Sequence, residues 1–547
     1  MPEIFNQLRA ILLSSNGLLL LTGAIISLTA ISISDNRKGK LATSRWSNSK
    51  EKSIARRKAQ QQMKEKQRNA VALYVGKPTF AQPSNLYIPD AQRGIAVCGG
   101  PGSGKTFSMI DPAIRSAIDQ GFPTIVYDFK YPTQTSRIAG YAAKAGYEVR
   151  IFAPGFEESS VCNPLDFLRD ETDAETARQI SIVLNKNFKL SSQNTEDAFF
   201  SVAGDQLIEA VLMLAKSTSY KDVMMCQSIL SMDRLTQRLQ NADLNYWIRA
   251  SFGQLLSVAD SEKTVASIIA TANNVFTRFM KKNILGAFCG QTTLPIDMDG
   301  KQLLILGMDR ERRDVVGPLL ATVLHTIVTR NVIKKRKTPL ILALDELPTL
   351  YLPSLTQWLN ENREDGLCTI LGFQNLVQLE KVYGKELARA IIGGCATKAI
   401  FNPQEYDSAK LFSDFLGDEQ VQYRQKTRGR SGGQSNNSTS DQERTRKLFE
   451  ASQFLKLPAG KCILINPGYS NEKESSVPIE QRIKIPAADL KAFKESEQEW
   501  EKVREKLKRS SGQRPPSTQE LKKRYVSSNN LYPLPIDNLN TDPMSYV

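Results

Sequence analysis

Short apolar runs recur along the 547-residue chain, and most of the intervals between them follow a helical pattern of hydrophobic positions. Runs of five or six residues bounded by strand-breaking residues predict buried strands. They fall at 94–98, 124–128, 148–153, 302–307, 339–344, 368–373 and 397–401. Such alternation is typical of a doubly wound, mostly parallel α/β sheet. Ligands of these folds bind beyond the carboxyl ends of the strands, where Gly99, Asp128, Asp345 and Gln374 fall.

Between the third and fourth runs the pattern becomes helical almost throughout. From Thr172 to Phe288 apolar residues recur at helical spacing, as at Leu207, Val211 and Leu214. We therefore predict an all-α domain at 171–290, inserted into an α/β domain whose two parts are 71–170 and 291–485. The segment carries no catalytic motif, so we expect an accessory or substrate-contact role.

Two later segments are predominantly polar. Arg424 to Arg446 contains no aliphatic or aromatic residue and predicts a solvated loop. Its basic residues would contact phosphates if the loop faced a pore, namely Arg424, Lys426, Arg428 and Arg430. The C-terminal segment 486–547 begins with an amphipathic stripe and then becomes rich in Pro and Asn. We predict a helix followed by disorder, with the helix lying on the protein or docking a partner.

The N-terminal pattern indicates a membrane anchor. Ala10 to Ser34 has no charged residue and is long enough to cross a bilayer as one helix. Twelve Lys and Arg against three Asp and Glu follow at 35–70, a net +9 of the chain's +15. By the positive-inside rule we expect residues 1–36 to anchor the chain with its N-terminus outside, 37–70 to be a basic linker, and the bulk to be cytoplasmic. A cleaved secretory signal is the alternative; the linker could also contact anionic headgroups.

A phosphate-binding loop follows the first predicted strand. The sequence GGPGSGKT at 99–106 has the P-loop spacing and is followed by a helical pattern. Backbone N–H groups and the helix N-terminus would bind phosphates of ATP. Lys105 would contact the β- and γ-phosphates, and the Thr106 hydroxyl would ligate Mg²⁺. The predicted nucleotide-binding residues are Gly99, Gly100, Pro101, Gly102, Ser103, Gly104, Lys105 and Thr106.

Two further strand ends supply candidate catalytic groups. The run at 339–344 ends in Asp345 and Glu346, and we expect Asp345 to hold Mg²⁺ and Glu346 to polarise the attacking water. The run at 368–373 ends in Gln374, which would contact the γ-phosphate or orient water. Each pattern also fits an ordinary polar strand end. Together with the glycine loop, they make the α/β domain a predicted ATPase.

Three other residue types narrow the possibilities. Arg363 follows a helix-like segment at 355–362 and is either a surface arginine or an arginine finger for a neighbouring subunit. His325, the one histidine, lies in an apolar helical run and predicts a packed core residue rather than a metal ligand. The seven scattered cysteines include no CxxC pair, which favours a reducing compartment over a disulfide framework.

In order and spacing these motifs resemble the type IV secretion and conjugation coupling proteins. The resemblance extends from the N-terminal anchor to Gly468 and includes the 99–106 loop, Asp128 with Lys130, and Asn163-Pro164-Leu165. It continues through Asp345-Glu346, Arg363, Gln374, Leu457-Pro458 and Asn466-Pro467-Gly468. Tyr131 replaces a glycine common in the family, and one predicted span replaces the frequent two.

The resemblance implies a RecA-like ATPase domain in a hexameric ring at the bacterial inner membrane. Such a protein would receive a single DNA strand bound to its relaxase and drive it through a type IV secretion channel. The residues alone leave other roles open. These are a chromosome-partition or DNA-packaging pump, a docking receptor for secreted proteins with a regulatory ATPase, and, least favoured, a phosphotransferase, because Glu346 suits water activation.

Overall fold

A computed structural model describes residues 44–78, 86–191, 198–431 and 434–534. The predicted anchor at 1–36 lies outside these ranges. The chain divides into two compact units, Met1–Arg45 with Ser413–Glu450, and Trp46–Phe412 with Ala451–Val547. The second unit contains the predicted α/β domain and is described first.

Thirteen strands occur in the described residues. In chain order they are β1 (Leu73–Val75), β2 (Leu86–Ile88), β3 (Ile95–Cys98), β4 (Thr124–Asp128), β5 (Glu148–Phe152), β6 (Gln302–Gly307), β7 (Leu340–Leu344), β8 (Leu367–Phe373), β9 (Thr397–Ile400), β10 (Asp418–Ser431), β11 (Gln434–Lys447), β12 (Lys461–Ile465) and β13 (Ile479–Arg482). All seven predicted strands are confirmed to within one residue at each end.

Nine of these strands form one sheet in the order β13-β12-β9-β3-β8-β7-β4-β6-β5. The seven strands from β9 to β5 are parallel, and β12 and β13 extend the sheet by antiparallel pairing. Every residue of β3, β4, β7 and β8 is buried, as expected of strands covered on both faces. The carboxyl ends of β3, β4, β7 and β8 therefore meet at one edge of the sheet.

Nineteen α-helices occur in the described residues. They are α1 (Ser49–Glu65), α2 (Asp111–Gln120), α3 (Thr133–Lys144), α4 (Ala174–Ser191), α5 (Ala198–Lys216), α6 (Val223–Leu230), α7 (Leu235–Asn241), α8 (Tyr246–Ser251), α9 (Gly253–Ser257), α10 (Glu262–Phe279), α11 (Lys282–Leu285), α12 (Arg313–Val332), α13 (Leu355–Asn360), α14 (Leu376–Tyr383), α15 (Lys385–Gly394), α16 (Tyr406–Leu416), α17 (Ala451–Phe454), α18 (Ala487–Ser510) and α19 (Thr518–Leu531). Short 3-10 turns lie at 91–93, 164–167 and 347–349, and a π-helical turn spans Thr106–Ile110.

The described residues between β5 and β6 form helices α4 to α11 and one 3-10 turn, with no strand. Helix α12 follows β6 and is buried in the core of the α/β unit. It is long and apolar enough to cross a membrane, but 83% of its most apolar window is buried inside the protein. His325 lies on this helix, 1% exposed, and stacks on Trp358 with ring centroids 5.5 Å apart. It is a packed core residue, as predicted.

Three segments differ from the sequence predictions. The basic segment 37–70, predicted as a linker, contains α1, because Asn48 and Glu51 form a capping box and Ala55 and Ala59 are completely buried. The polar segment 424–446 was predicted as a loop, but its described residues lie in the two-stranded antiparallel ribbon of β10 and β11 in the first unit. Backbone pairing forms this ribbon, so apolar periodicity does not reveal it.

The third difference is the C-terminal segment. The predicted helix is α18, but beyond it α19 occupies residues predicted to be disordered. A capping box of Ser517 and Glu520 begins α19. Arg524 of α19 forms a bidentate ion pair with Asp222, with its Nε 2.9 Å from Asp222 Oδ2. Side-chain contacts therefore tie this segment to the helices between β5 and β6.

Candidate nucleotide-binding site

The glycine loop at 99–106 joins β3 to the π-helical turn before α2, as a P-loop requires. Neighbouring segments hold it from behind, since Gly99 N–H donates to the Phe373 carbonyl (3.1 Å) and Gly460 N–H donates to the Ser103 carbonyl (2.9 Å). Gly104 has φ of +89°, and a Cβ there would lie 2.9 Å from the Gly460 nitrogen. Both the backbone conformation and the close approach require glycine at this position.

The loop residues fit a phosphate-bearing ligand. The Ser103 hydroxyl oxygen is buried and has no hydrogen-bond partner among the described residues. A buried hydroxyl without a partner costs free energy, and a phosphate oxygen would satisfy it. A Cβ on Gly102 (φ +75°) would meet no atom within 4 Å, so the backbone here borders open space. These observations agree with a loop that accepts phosphates through its backbone.

The Lys105 ammonium lies between two carboxylates at the end of β7. Its Nζ is 3.4 Å from Glu346 Oε2 and 3.5 Å from Asp345 Oδ1. Burial alone would lower the pKa of Lys105, but Asp345 and Glu346 raise it above its ordinary value, so the side chain stays charged. Burial raises the pKa of Glu346, and Lys105 partly offsets this. A carboxylate with a raised pKa is better suited to accept a proton than an exposed one.

The residues predicted to hold magnesium also meet. The Thr106 hydroxyl donates to Asp345, with distances of 2.8 and 2.9 Å to its two carboxylate oxygens. A hydroxyl and a carboxylate side by side are oxygen ligands of the kind Mg²⁺ prefers. The Gln374 side chain, at the end of β8, lies near Glu346 and lowers the pKa of that carboxyl. The side-chain oxygen of Gln374, Oε1, accepts a hydrogen bond from Gln378 Nε2 (3.2 Å), and this bond fixes the direction of the Gln374 amide.

Asp128 makes its hydrogen bonds within its own turn. Its carboxylate accepts from the backbone N–H groups of Lys130, Gln134 and Thr135, at 2.9 to 3.0 Å, and from the Thr135 hydroxyl. It therefore organises the turn between β4 and α3 and is fully used in doing so.

Asp111 is a neighbour that the sequence analysis did not single out. It is completely buried in the first turn of α2 and accepts from Gln134 (2.7 Å) and Arg137 (2.6 Å). Burial raises its pKa to about 6, although Arg137 and Gln134 lower it. The signal in the sequence that could have indicated Asp111 is its position five residues after Thr106 of the glycine loop.

Arg363 does not reach the nucleotide site of its own chain. It lies in the turn at 361–366 immediately before β8, whereas Gln374 follows the other end of that strand. A seven-residue strand is about 20 Å long at about 3.3 Å per residue. The chain therefore crosses the sheet along the whole length of β8 between Arg363 and Gln374. Arg363 and the P-loop thus occupy opposite edges of the sheet.

A glycine loop between a central strand and a helix, facing an acidic pair on a nearby strand end, defines the P-loop class of nucleotide-binding folds. Residues 85–471 match the family model described as the type IV secretion-system coupling protein DNA-binding domain. This match covers well over half of the chain, and the chain therefore belongs to that family.

Individual relatives agree with this assignment. Over 144 residues the chain is 28% identical to the coupling protein TraD of Escherichia coli strain K12, an alignment that covers 26% of the chain and 20% of TraD. The chain thus matches about a fifth of TraD's length. Among solved structures, the unbound conjugative coupling protein TrwBΔN70 has a TM-score of 0.57 at 14% identity, covering 77% of this chain and 91% of the other. TrwB with ADP and Mg²⁺ has a TM-score of 0.55 at 15% identity, covering 73% and 87%. These likenesses show a common fold.

Proposed function

We propose that this protein is a membrane-anchored ATPase that moves DNA and couples a relaxase–DNA complex to a type IV secretion channel. The observation that carries the proposal is the buried meeting of Lys105, Asp345 and Glu346 beside the glycine loop. Membership of the coupling protein family supports DNA as the substrate. TrwB, whose fold this chain shares, has been solved with ADP and Mg²⁺, which supports these ligands here.

Each group at the site has a proposed role in hydrolysis. Lys105 and the loop N–H groups bind the phosphates of ATP, and Thr106 and Asp345 hold Mg²⁺, whose charge would neutralise the phosphate oxygens. Glu346 accepts the proton of the attacking water. Gln374 favours the ionised form of Glu346, because its side chain lowers the pKa of that carboxyl. A positioned base of this kind is worth about 100- to 10,000-fold in rate.

We further propose that Arg363 acts on the nucleotide of a neighbouring subunit in a homo-hexameric ring. Its place at the sheet edge opposite its own P-loop supports action in trans, because one chain cannot bring the two together without unfolding β8. An arginine supplied in trans makes hydrolysis depend on assembly.

The N-terminal segment 1–36 is the proposed anchor in the bacterial inner membrane, with the N-terminus outside and the ATPase in the cytoplasm. The net charge of +15 favours a polyanionic substrate. Single-stranded DNA carrying its relaxase is the proposed cargo, and channel proteins of the secretion system are the proposed membrane partners.

DNA stimulation of ATP hydrolysis tests this proposal. The full-length protein in detergent micelles would be assayed at low salt with and without a single-stranded oligonucleotide, with Glu346→Gln as the inactive control. We expect stimulation that declines as salt rises, because each phosphate contact releases counterions. Stimulation by relaxase protein but by no DNA would instead favour a docking receptor for secreted proteins. No hydrolysis under any condition would overturn the ATPase itself.

A further inference from the structure

The segment that follows β9 and ends in the first turn of α16, which we call the clamp loop (402–408), contacts both sides of the nucleotide site. On the P-loop side, Gly100 N–H donates to the Asn402 carbonyl (2.8 Å). On the other side, Leu376 N–H, two residues beyond Gln374, donates to the Ser408 hydroxyl (2.8 Å). The clamp loop therefore touches the segments that carry the phosphate-binding backbone and the catalytic amide.

Gln404 is the strained residue of the clamp loop. Its φ is +55°, a left-handed conformation that costs free energy in any residue other than glycine. Two hydrogen bonds hold it there. Its backbone N–H donates to the Asn402 side-chain oxygen (2.8 Å), and its Nε2 donates to the Pro101 carbonyl of the P-loop (2.9 Å). The side chain is exposed, so burial does not explain why it lies along the loop.

The bond to Pro101 has a consequence for the next residue. A peptide unit is planar and trans, so the Pro101 carbonyl and the Gly102 N–H belong to one plane and point in opposite directions. Holding the carbonyl toward Gln404 therefore fixes the direction of the Gly102 N–H away from it. No side-chain packing fixes this peptide at Gly102, since glycine adopts its φ of +75° without strain and a Cβ there would contact nothing within 4 Å.

Gly100 makes room for this arrangement. A Cβ on Gly100 would lie 2.5 Å from Gln404 Oε1 and 2.7 Å from its Cδ. The absence of a side chain at 100 and the placement of the Gln404 amide are thus coupled.

We propose that Gln404 is a positioning residue for nucleotide binding, which orients the Gly102 N–H of the P-loop toward the phosphates by holding the Pro101 carbonyl. The inference rests on the proposed function, because it assumes that the loop binds ATP. It assigns a part of the phosphate-binding geometry to a residue about 300 positions away in sequence.

The test measures ATP hydrolysis and Mg-ADP affinity in the full-length protein. Gln404→Gly keeps the left-handed backbone without strain and removes only the amide. Its KM for ATP and Kd for Mg-ADP should rise about five- to tenfold, the worth of one lost hydrogen bond, while kcat stays within about twofold. Gln404→Glu, nearly isosteric but unable to donate at neutral pH, should lose at least as much. Gln519→Ala, at an exposed glutamine of α19, is the matched control and should change neither quantity.

A double-mutant cycle separates the positioning role of Gln404 from a general effect on folding. Gly100→Ala forces the Gln404 side chain away, so its effect on Kd should be smaller in the Gln404→Gly background than in the wild type. Additive effects, or an unchanged KM and Kd in Gln404→Gly, would overturn the inference. A fall in unfolding temperature that accompanies the whole loss of affinity would also overturn it. A wild-type protein that neither binds nor hydrolyses ATP would instead refute the proposed function.

Discussion

Replacing Glu346 by glutamine separates nucleotide binding from hydrolysis. Glutamine has nearly the shape of glutamate but cannot accept the proton of the attacking water. Lys105 loses the partner 3.4 Å away, yet it keeps Asp345 at 3.5 Å, so the buried ammonium is not left without a counter-charge. The Thr106–Asp345 contact is also untouched. We therefore expect a folded protein that binds Mg-ATP and turns it over poorly.

The magnitudes follow from the geometry. At 3.4 Å and an effective dielectric of about 20, the Lys105–Glu346 attraction is about 5 kcal/mol before desolvation is subtracted. Burial opposes it, as the raised pKa of Glu346 shows, so the net loss of stability in Glu346→Gln should be small. Loss of the base should lower kcat about 100- to 10,000-fold, or about 3–5 kcal/mol in the barrier. ATP affinity should be unchanged or higher, because one negative charge near the phosphates is removed.

The assay compares single-turnover hydrolysis with equilibrium binding of a fluorescent ATP analogue and with thermal unfolding. Glu311→Gln, at an exposed glutamate four residues beyond the end of β6, serves as the control and should behave as wild type. If Glu346→Gln hydrolyses ATP at a rate within about threefold of wild type, Glu346 is not the base. If instead it fails to bind ATP, the glutamate has a structural role that the geometry does not reveal.

Two further variants test the remaining catalytic assignments. Arg363→Ala should bind nucleotide but not hydrolyse it, and mixing it with Lys105→Ala should restore part of the activity, because some interfaces then pair a working loop with a working arginine. Mixtures that stay inactive despite proven subunit exchange would place Arg363 outside the trans site. Gln374→Ala removes a side chain that lowers the pKa of Glu346, so that pKa should rise further. The base must be deprotonated, so the acid limb of the kcat profile should move to higher pH; an unmoved limb would contradict this contact.

The central strands were predictable because a strand that is buried on both faces consists of an uninterrupted run of apolar residues. β7, with LILAL, and β8, with LCTILGF, are examples. The edge strand β13, with IEQR, was not predictable from the sequence, because only its pairing with β12 makes it a strand. The meeting of Lys105 with Asp345 followed from strand ends sharing one sheet edge.

Other parts of the site depend on contacts between distant segments. No local pattern shows that Gln404 reaches Pro101, or that Gly460 closes behind the loop. Asp111 has the same difficulty, since one aspartate in a helix says nothing about the arginine that pairs with it. The position of Arg363 could be predicted only with the direction of β8 known, because the turn that contains Arg363 precedes β8 rather than following it.

The C-terminal segment was predicted as a separate tail, but contacts of its helix α18 with distant segments join it to the α/β domain. Helix α18 packs on α3 closely enough that a Cβ on Gly140 would lie 2.8 Å from the Ser496 carbonyl. Phe493 of α18 contacts Phe107, the residue after the loop's Thr106, with ring centroids 5.5 Å apart. These contacts make α18 part of the wall behind the P-loop.

Helix α19 extends the same segment to the helices between β5 and β6. Asp222 there is 5% exposed, and removal of Arg524 would leave its charge buried, at a cost of about 3–5 kcal/mol. A truncation at residue 486 would therefore disturb the nucleotide site and the helical segment together. Loss of activity in such a truncation could not be assigned to a lost partner. Substitutions at exposed positions of α19, such as Lys523 and Val526, would test partner binding without that confusion, because they leave the Arg524–Asp222 pair and α18 in place.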